Sequence, residues 1–186
     1  SILYFPAAPG YRITETIQIP TGISVRMEAP LVFFGDNATP AVVIGEPGVA
    51  NQSVQHKLEV LGSTISDWSD ERSIGIQILN ANSCHVDIVQ ANGFTIGVQC
   101  MGAGAGFAYN QFRLGTLINN KIALDLTNRT AMNPGGSESI GWTNENIFLN
   151  GRFSCWSNTH PGKSRYGIRI TSADGSYTAN NNNLFL

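Results

Sequence analysis

The chain has 186 residues, enough for one domain with a real core and too few for two large ones. Hydrophobic residues make up 42% of it but charged residues only 13%, so Asn, Ser, Thr and Gly must supply much of the polar surface. A net charge of −2 with no basic run argues against a nucleic-acid or anionic-membrane partner, and no apolar stretch reaches bilayer-spanning length.

In chain order, YRITETIQIPTGISVRMEAP (11–30) alternates Ile13, Ile17, Ile19, Ile23, Val25 and Met27 around a Pro-Thr-Gly turn. AVVIG (41–45) and HKLEVLG (56–62) read as the next strands, followed by a polar loop, STISDWSDERS (63–73). SIGIQI (73–78), TIGVQC (95–100), KIALDL (121–126) and RYGIRI (165–170) repeat one period-two pattern. Between them, YNQFRLGTL (109–117) aligns with NENIFLNGRF (144–153): Asn110 and Asn146 each stand two residues before a Phe and five before a Gly. NNNLFL (181–186) begins a third copy, and CHVDIVQANGF (84–94) is a looser one. GAGAG (102–106) precedes a β run rather than a helix and reads as a wide corner.

No helix-period stripe of useful length is present, so the chain is expected to be all-β. SIGIQI and TIGVQC start 22 residues apart, KIALDL follows after 26, and RYGIRI after 44, which reads as twice 22. Several short strands per repeat and one motif recurring in register predict a β-solenoid of about 22 residues per coil. A β-sandwich would give alternation and turns without that recurrence. One domain over residues 1–186 is expected, with inserted loops at 63–73, 128–143 and 154–165. No polar cap is visible at either end, so a partner subunit closes it or the chain is a segment of a longer one.

The opening LYFPAAPGYRITETIQIP, the GI-I coils, GFAYNQFRLGTL, GWTNENIFLNGRF and YGIRITS resemble the right-handed parallel β-helix of the pectin-lyase-like superfamily. Within it they are most similar to phage and prophage tail-spike or tail-fibre β-helices. The Asp-Asp-rich, helix-forming segment that usually precedes the FPAG-Y-I motif is missing. The resemblance implies a homotrimer, on the virion tail or extracellular, that recognises and often cleaves bacterial surface polysaccharide, with no cofactor or metal. The alternatives are a non-enzymatic structural stem of a trimeric assembly and a stand-alone pectinase-like enzyme.

Stacking the repeats gives columns of outward residues about 4.8 Å apart. Gly75, Gly97, Ala123 and Gly167 form a small-residue stripe that invites close approach by a subunit, a loop or a flat ligand. Gln77, Gln99, Asp125 and Arg169 read as an amide ladder ending in an ion pair. Glu59 and Asp87 occupy matching positions of another strand, with Arg113 beyond; one rung apart, they would lie near the roughly 5–5.5 Å of a retaining glycosidase pair. They are the catalytic candidates, against the bland reading of outward charges. Trp142, Trp156, His160 and Arg165 in the insertions are the carbohydrate-binding candidates, against a role in pinning the loops. Asp67, Asp70 and Glu71 near Trp68 read as a solvated turn, because no ligand spacing is present. Cys84, Cys100 and Cys155 are odd in number and form no CxxC pair, and Cys100 reads as a small buried hydrophobe. His56, His85 and His160 are scattered and suggest no triad.

Overall fold

A computed structural model describes residues 1–155, 160, 165–175 and 180–186. Twenty strands and no helix are found among them. The first third holds β1 (Ile2–Phe5), β2 (Tyr11–Ile13), β3 (Ile17–Ile19), β4 (Ser24–Met27), β5 (Leu31–Phe33), β6 (Val42–Ile44), β7 (Asn51–Gln52) and β8 (Gln55–Gly62). The middle holds β9 (Ile74–Leu79), β10 (Ala81–Asn82), β11 (His85–Asn92), β12 (Ile96–Ala103), β13 (Gly106–Ala108), β14 (Gln111–Ile118) and β15 (Ile122–Met132). The last part holds β16 (Glu138–Ile140), β17 (Trp142–Asn144), β18 (Ile147–Ser154), β19 (Tyr166–Ile170) and β20 (Leu184–Phe185).

These strands form three sheets. The first runs β1-β4-β8-β11-β14-β18-β20, with β2 and β5 joining it beside β8. The second runs β16-β15-β12-β9-β6-β3, with β19 also on β15, and the third is the short set β17-β13-β10-β7. From β8 to β15 the chain visits first, second and third sheet in turn. Neighbouring strands are parallel except for β15 and β16. This order is compatible with a parallel β-helix or solenoid.

The interval between register partners is not constant. Ile76 pairs with Val98, 22 residues on, and Val98 with Leu124, 26 on. Leu124 pairs directly with Ile168, so the 44-residue interval expected to hold two turns is a single step. The extra length leaves the sheets between strands, as in the 34-residue step from Val42 to Ile76 around the 63–73 loop. Insertion 128–143 is a hairpin rather than an irregular loop: Thr130, Ala131 and Met132 pair antiparallel with Ile140, Ser139 and Glu138. Ala131 packs on Val43, Leu79, Met101 and Ala103, which covers that apolar patch.

Three stacked devices hold the rungs together. Val25, His56, Val86, Phe112, Phe148 and Phe185 follow one another in register through the core. The Phe112 and Phe148 ring centroids lie 4.9 Å apart, and those of Phe148 and Phe185 lie 5.1 Å apart. Two residues upstream, the Asn110 side chain donates to Asn146 Oδ1, and the Asn146 side chain donates to Asn183 Oδ1, both at 2.8 Å. The corner before each rung from His56 to Phe185 is left-handed, at Ser53, Ser83, Tyr109, Glu145 and Asn182, with φ between 51° and 59°.

Candidate functional site

At Gly75, Gly97 and Ala123 the small-residue stripe expected on the outside is buried, whereas Gly167 is exposed. A Cβ added to Gly75 would lie 2.7 Å from the Phe94 ring, and one on Gly97 would lie 2.6 Å from Asn120 Nδ2. Phe94 and Ala123 both belong to the principal core. Phe94 and Asn120 fill the space that a side chain would need, so the stripe serves packing within the chain. Ile74, Ile96 and Ile122 instead form a cluster of their own.

Ile74 and Ile96 line a groove of about 570 Å³ on the second sheet, together with Gln77, Gln99, Asp125 and Arg169. Here the polar groups satisfy one another. Gln77 Nε2 donates to Gln99 Oε1 at 2.7 Å, and Gln99 Nε2 donates to Asp125 Oδ2 at 2.8 Å. Arg169 grips the fully buried Asp125 through Nε at 2.8 Å and a second nitrogen at 3.1 Å, and reaches Glu71 at 2.9 Å. Burial alone would lower the Arg169 pKa, but its bonds to Asp125 and Glu71 raise it above the ordinary value. Glu71 is lowered on balance: its partial burial pushes the other way, and the cation of Arg169 prevails. The amide ladder and terminal ion pair read from the sequence are therefore present, as a closed network.

The outer face of the first sheet carries a second groove, of about 500 Å³. Ser24, Gln55, His85 and Gln111 form one column along its length, and Arg26, Lys57, Asp87 and Arg113 form the next. Glu28 at the edge ties down Lys57 and Arg26, each at 2.6 Å, and these bonds hold its carboxyl below the usual range. The remaining side chains behave differently. Among the described residues, those of Gln55, His85, Asp87, Gln111 and Arg113 have no hydrogen bond or ion pair. Asp87 stands level with Lys57 on one side and Arg113 on the other without bridging either. Sequence reasoning singled out Asp87 and Arg113 but missed the neighbouring Gln55–His85–Gln111 column, whose signal was its i−2 placement before each charged residue.

Glu59 lies elsewhere. The β8–β11 register shifts between Ile88 and Gln90, which brings Glu59 opposite Gln90 and makes it the acceptor of the Gln90 amide. Glu59 and Asp87 are thus not register partners, and the glycosidase spacing does not follow from the ladder. Trp142 is 40% exposed on β17, its ring over Gly106. His160 bonds the Ser66 carbonyl and meets the buried Trp68 edge-on at 4.1 Å, and the Arg165 guanidinium lies 5.7 Å from the same ring. His160 and Arg165 therefore gather at the 63–73 loop, and Trp142 sits on the third sheet, opposite Gly106 and just after the hairpin. Trp156 lies outside the described residues.

Burial pushes the Cys100 thiol well up, and the Asp125 charge adds to it; burial also raises Cys84. Neither is a reactive thiolate. Among the described residues no group of three His, Cys, Asp or Glu could hold a metal ion, and no helix is long and apolar enough to cross a membrane. No protein-family model, no curated protein and no solved structure matches this chain.

Proposed function

We propose that the chain is a single right-handed parallel β-helix of a phage-type tail spike or tail fibre, acting outside the cell or on the virion. In this reading the groove on its first sheet binds an extended bacterial surface polysaccharide. The observation that carries it is the row of unpaired polar side chains Gln55, His85, Asp87, Gln111 and Arg113. Rungs about 4.8 Å apart present a donor or acceptor at nearly the repeat of a sugar ring, so successive rungs can each bond one unit of a polymer. The second-sheet groove offers no such surplus, because its amides and charges are already spent on one another. Cleavage is not assigned, since no second carboxylate faces Asp87 across this groove. The test is calorimetric titration with a panel of purified bacterial surface polysaccharides. The expected result is binding to at least one, weakened about 10- to 100-fold by Asp87→Ala or Arg113→Ala with unchanged unfolding temperature. Failure of every polysaccharide, or binding indifferent to both substitutions, would overturn the reading.

A structural stem is the second reading, favoured by the hairpin. Met132 and Ile140 project from it at 53% and 47% exposure, with Trp142 at 40% on the strand that follows, a surface suited to a trimer contact. Light scattering that finds a trimer dissociated by Ile140→Lys would support the stem; a monomer in both forms would count against it.

A further inference from the structure

His56 is the odd member of an apolar column. Val25 and Val86 lie level with it on the neighbouring rungs, and Phe112 and Phe148 continue the stack. The residue is 3% exposed, and among the described residues neither ring nitrogen has a partner. A polar ring in such a place lacks the bonds that buried polar groups normally make. Its two sequence neighbours, Gln55 and Lys57, face the groove, so the ring lies directly beneath the proposed binding row.

The charged groups around it offer the ring no compensation. On its own strand Lys57 bonds Glu28, and Glu59 accepts from Gln90. On β4 Arg26 bonds Glu28, which lies just past the strand's end. On β11 His85 and Asp87 line the groove. Strands β5 and β9 carry no titratable residue. Cys84 is inward, but its thiol bonds the Asn51 carbonyl and is held neutral by burial.

We infer that His56 is an acid-sensitive trigger beneath the groove: taking up a solvent proton, it draws in water, opens the β4–β8–β11 rungs and displaces Gln55, Lys57 and Asp87. An imidazolium here has neither counter-ion nor acceptor, so the open form, where water solvates it, gains from each proton bound. Burial lowers the ring's pKa to about 4, below the ordinary 6.5. Release of a bound polymer on acidification rests on the proposed function; the opening itself does not.

Hydrogen exchange of the free protein tests the opening with no polysaccharide present, so a failed binding panel leaves this result standing. With exchange corrected for its intrinsic pH dependence, opening at β8 and β11 should rise about twentyfold from pH 7 to pH 5. In His56→Val, which copies the residues above and below, and in His56→Phe, which copies the ring two rungs on, that rise should vanish. An equal rise in the variants, or none in the wild type, would overturn the inference. NMR titration of the His56 ring gives a readout without substitution: a midpoint near 4 agrees, and one near 6.5 contradicts.

Discussion

Asp125 shows how a single buried charge is kept. Its side chain is 1% exposed and would be costly alone, but Gln99 and two nitrogens of the Arg169 fork donate to it. Removing the cation leaves the carboxylate uncompensated. Arg169→Leu is therefore expected to lower unfolding free energy in urea by about 3–5 kcal/mol. Glu71→Gln, at a half-exposed partner, should cost less than about 1 kcal/mol. Equal costs would mean that the network does not centre on Asp125. This column was legible in the sequence because period-two alternation puts Gln77, Gln99, Asp125 and Arg169 at one place in successive copies. The facing of Gly75 was not, because the ring that occupies the space beside it is Phe94, a residue outside its own strand motif.

The N-x-F motif is the clearest case of an element written into the sequence. Asn110, Asn146 and Asn183 become a buried amide ladder, and Phe112, Phe148 and Phe185, two residues on, become the aromatic stack. Asn146 accepts from the Asn110 side chain and bonds the Phe107 and Asn144 carbonyls, so its loss strands several buried groups at once. Asn146→Ala should cost roughly 2–4 kcal/mol in chemical denaturation; a cost near zero would show that water replaces the ladder freely. The left-handed corners left a weaker trace, because Ser, Tyr, Glu and Asn all occupy them where Gly would have announced the conformation. At Ser53, φ 54°, Ser53→Val is expected to destabilise by about 1–2 kcal/mol while Ser53→Gly does not. Similar effects from the two substitutions would remove the strain argument. Asp87 faces Lys57, two residues short of Glu59, and the register shift that then sets Glu59 opposite Gln90 had no sequence signal, since Val89 continues the β pattern without a Gly or Pro to mark it.

Across the whole molecule, parallel pairing in three sheets was legible from recurrence, but a uniform coil of about 22 residues was not what the register contains. Steps of 20 residues, from Tyr11 to Leu31, and of 44, from Leu124 to Ile168, coexist because the corners absorb insertions while the strands keep their columns. The molecule as a whole should also weaken in acid. His56 has a folded pKa below its unfolded one, so the unfolded chain binds the proton first. Its stabilising contribution is complete above pH 6.5, falls as pH drops and levels off near pH 4, a loss of about 3 kcal/mol. Urea midpoints across that window should fall in the wild type and fall less in His56→Val; parallel curves would assign the acid sensitivity to carboxylates such as Glu28 instead.

In the proposed function the unpaired row on the first sheet, rather than the closed ladder on the second, meets the ligand. The most direct measurement is NMR mapping of the protein titrated with fragments of a bacterial surface polysaccharide that binds it. The side-chain amides of Gln55 and Gln111 and the rings and charges of His85, Asp87 and Arg113 are predicted to shift, with Gln77 and Gln99 unmoved. Shifts centred on Gln77, Gln99 and Arg169, or on Trp142 and the hairpin, with the first sheet silent, would rule out the first-sheet groove as the binding site.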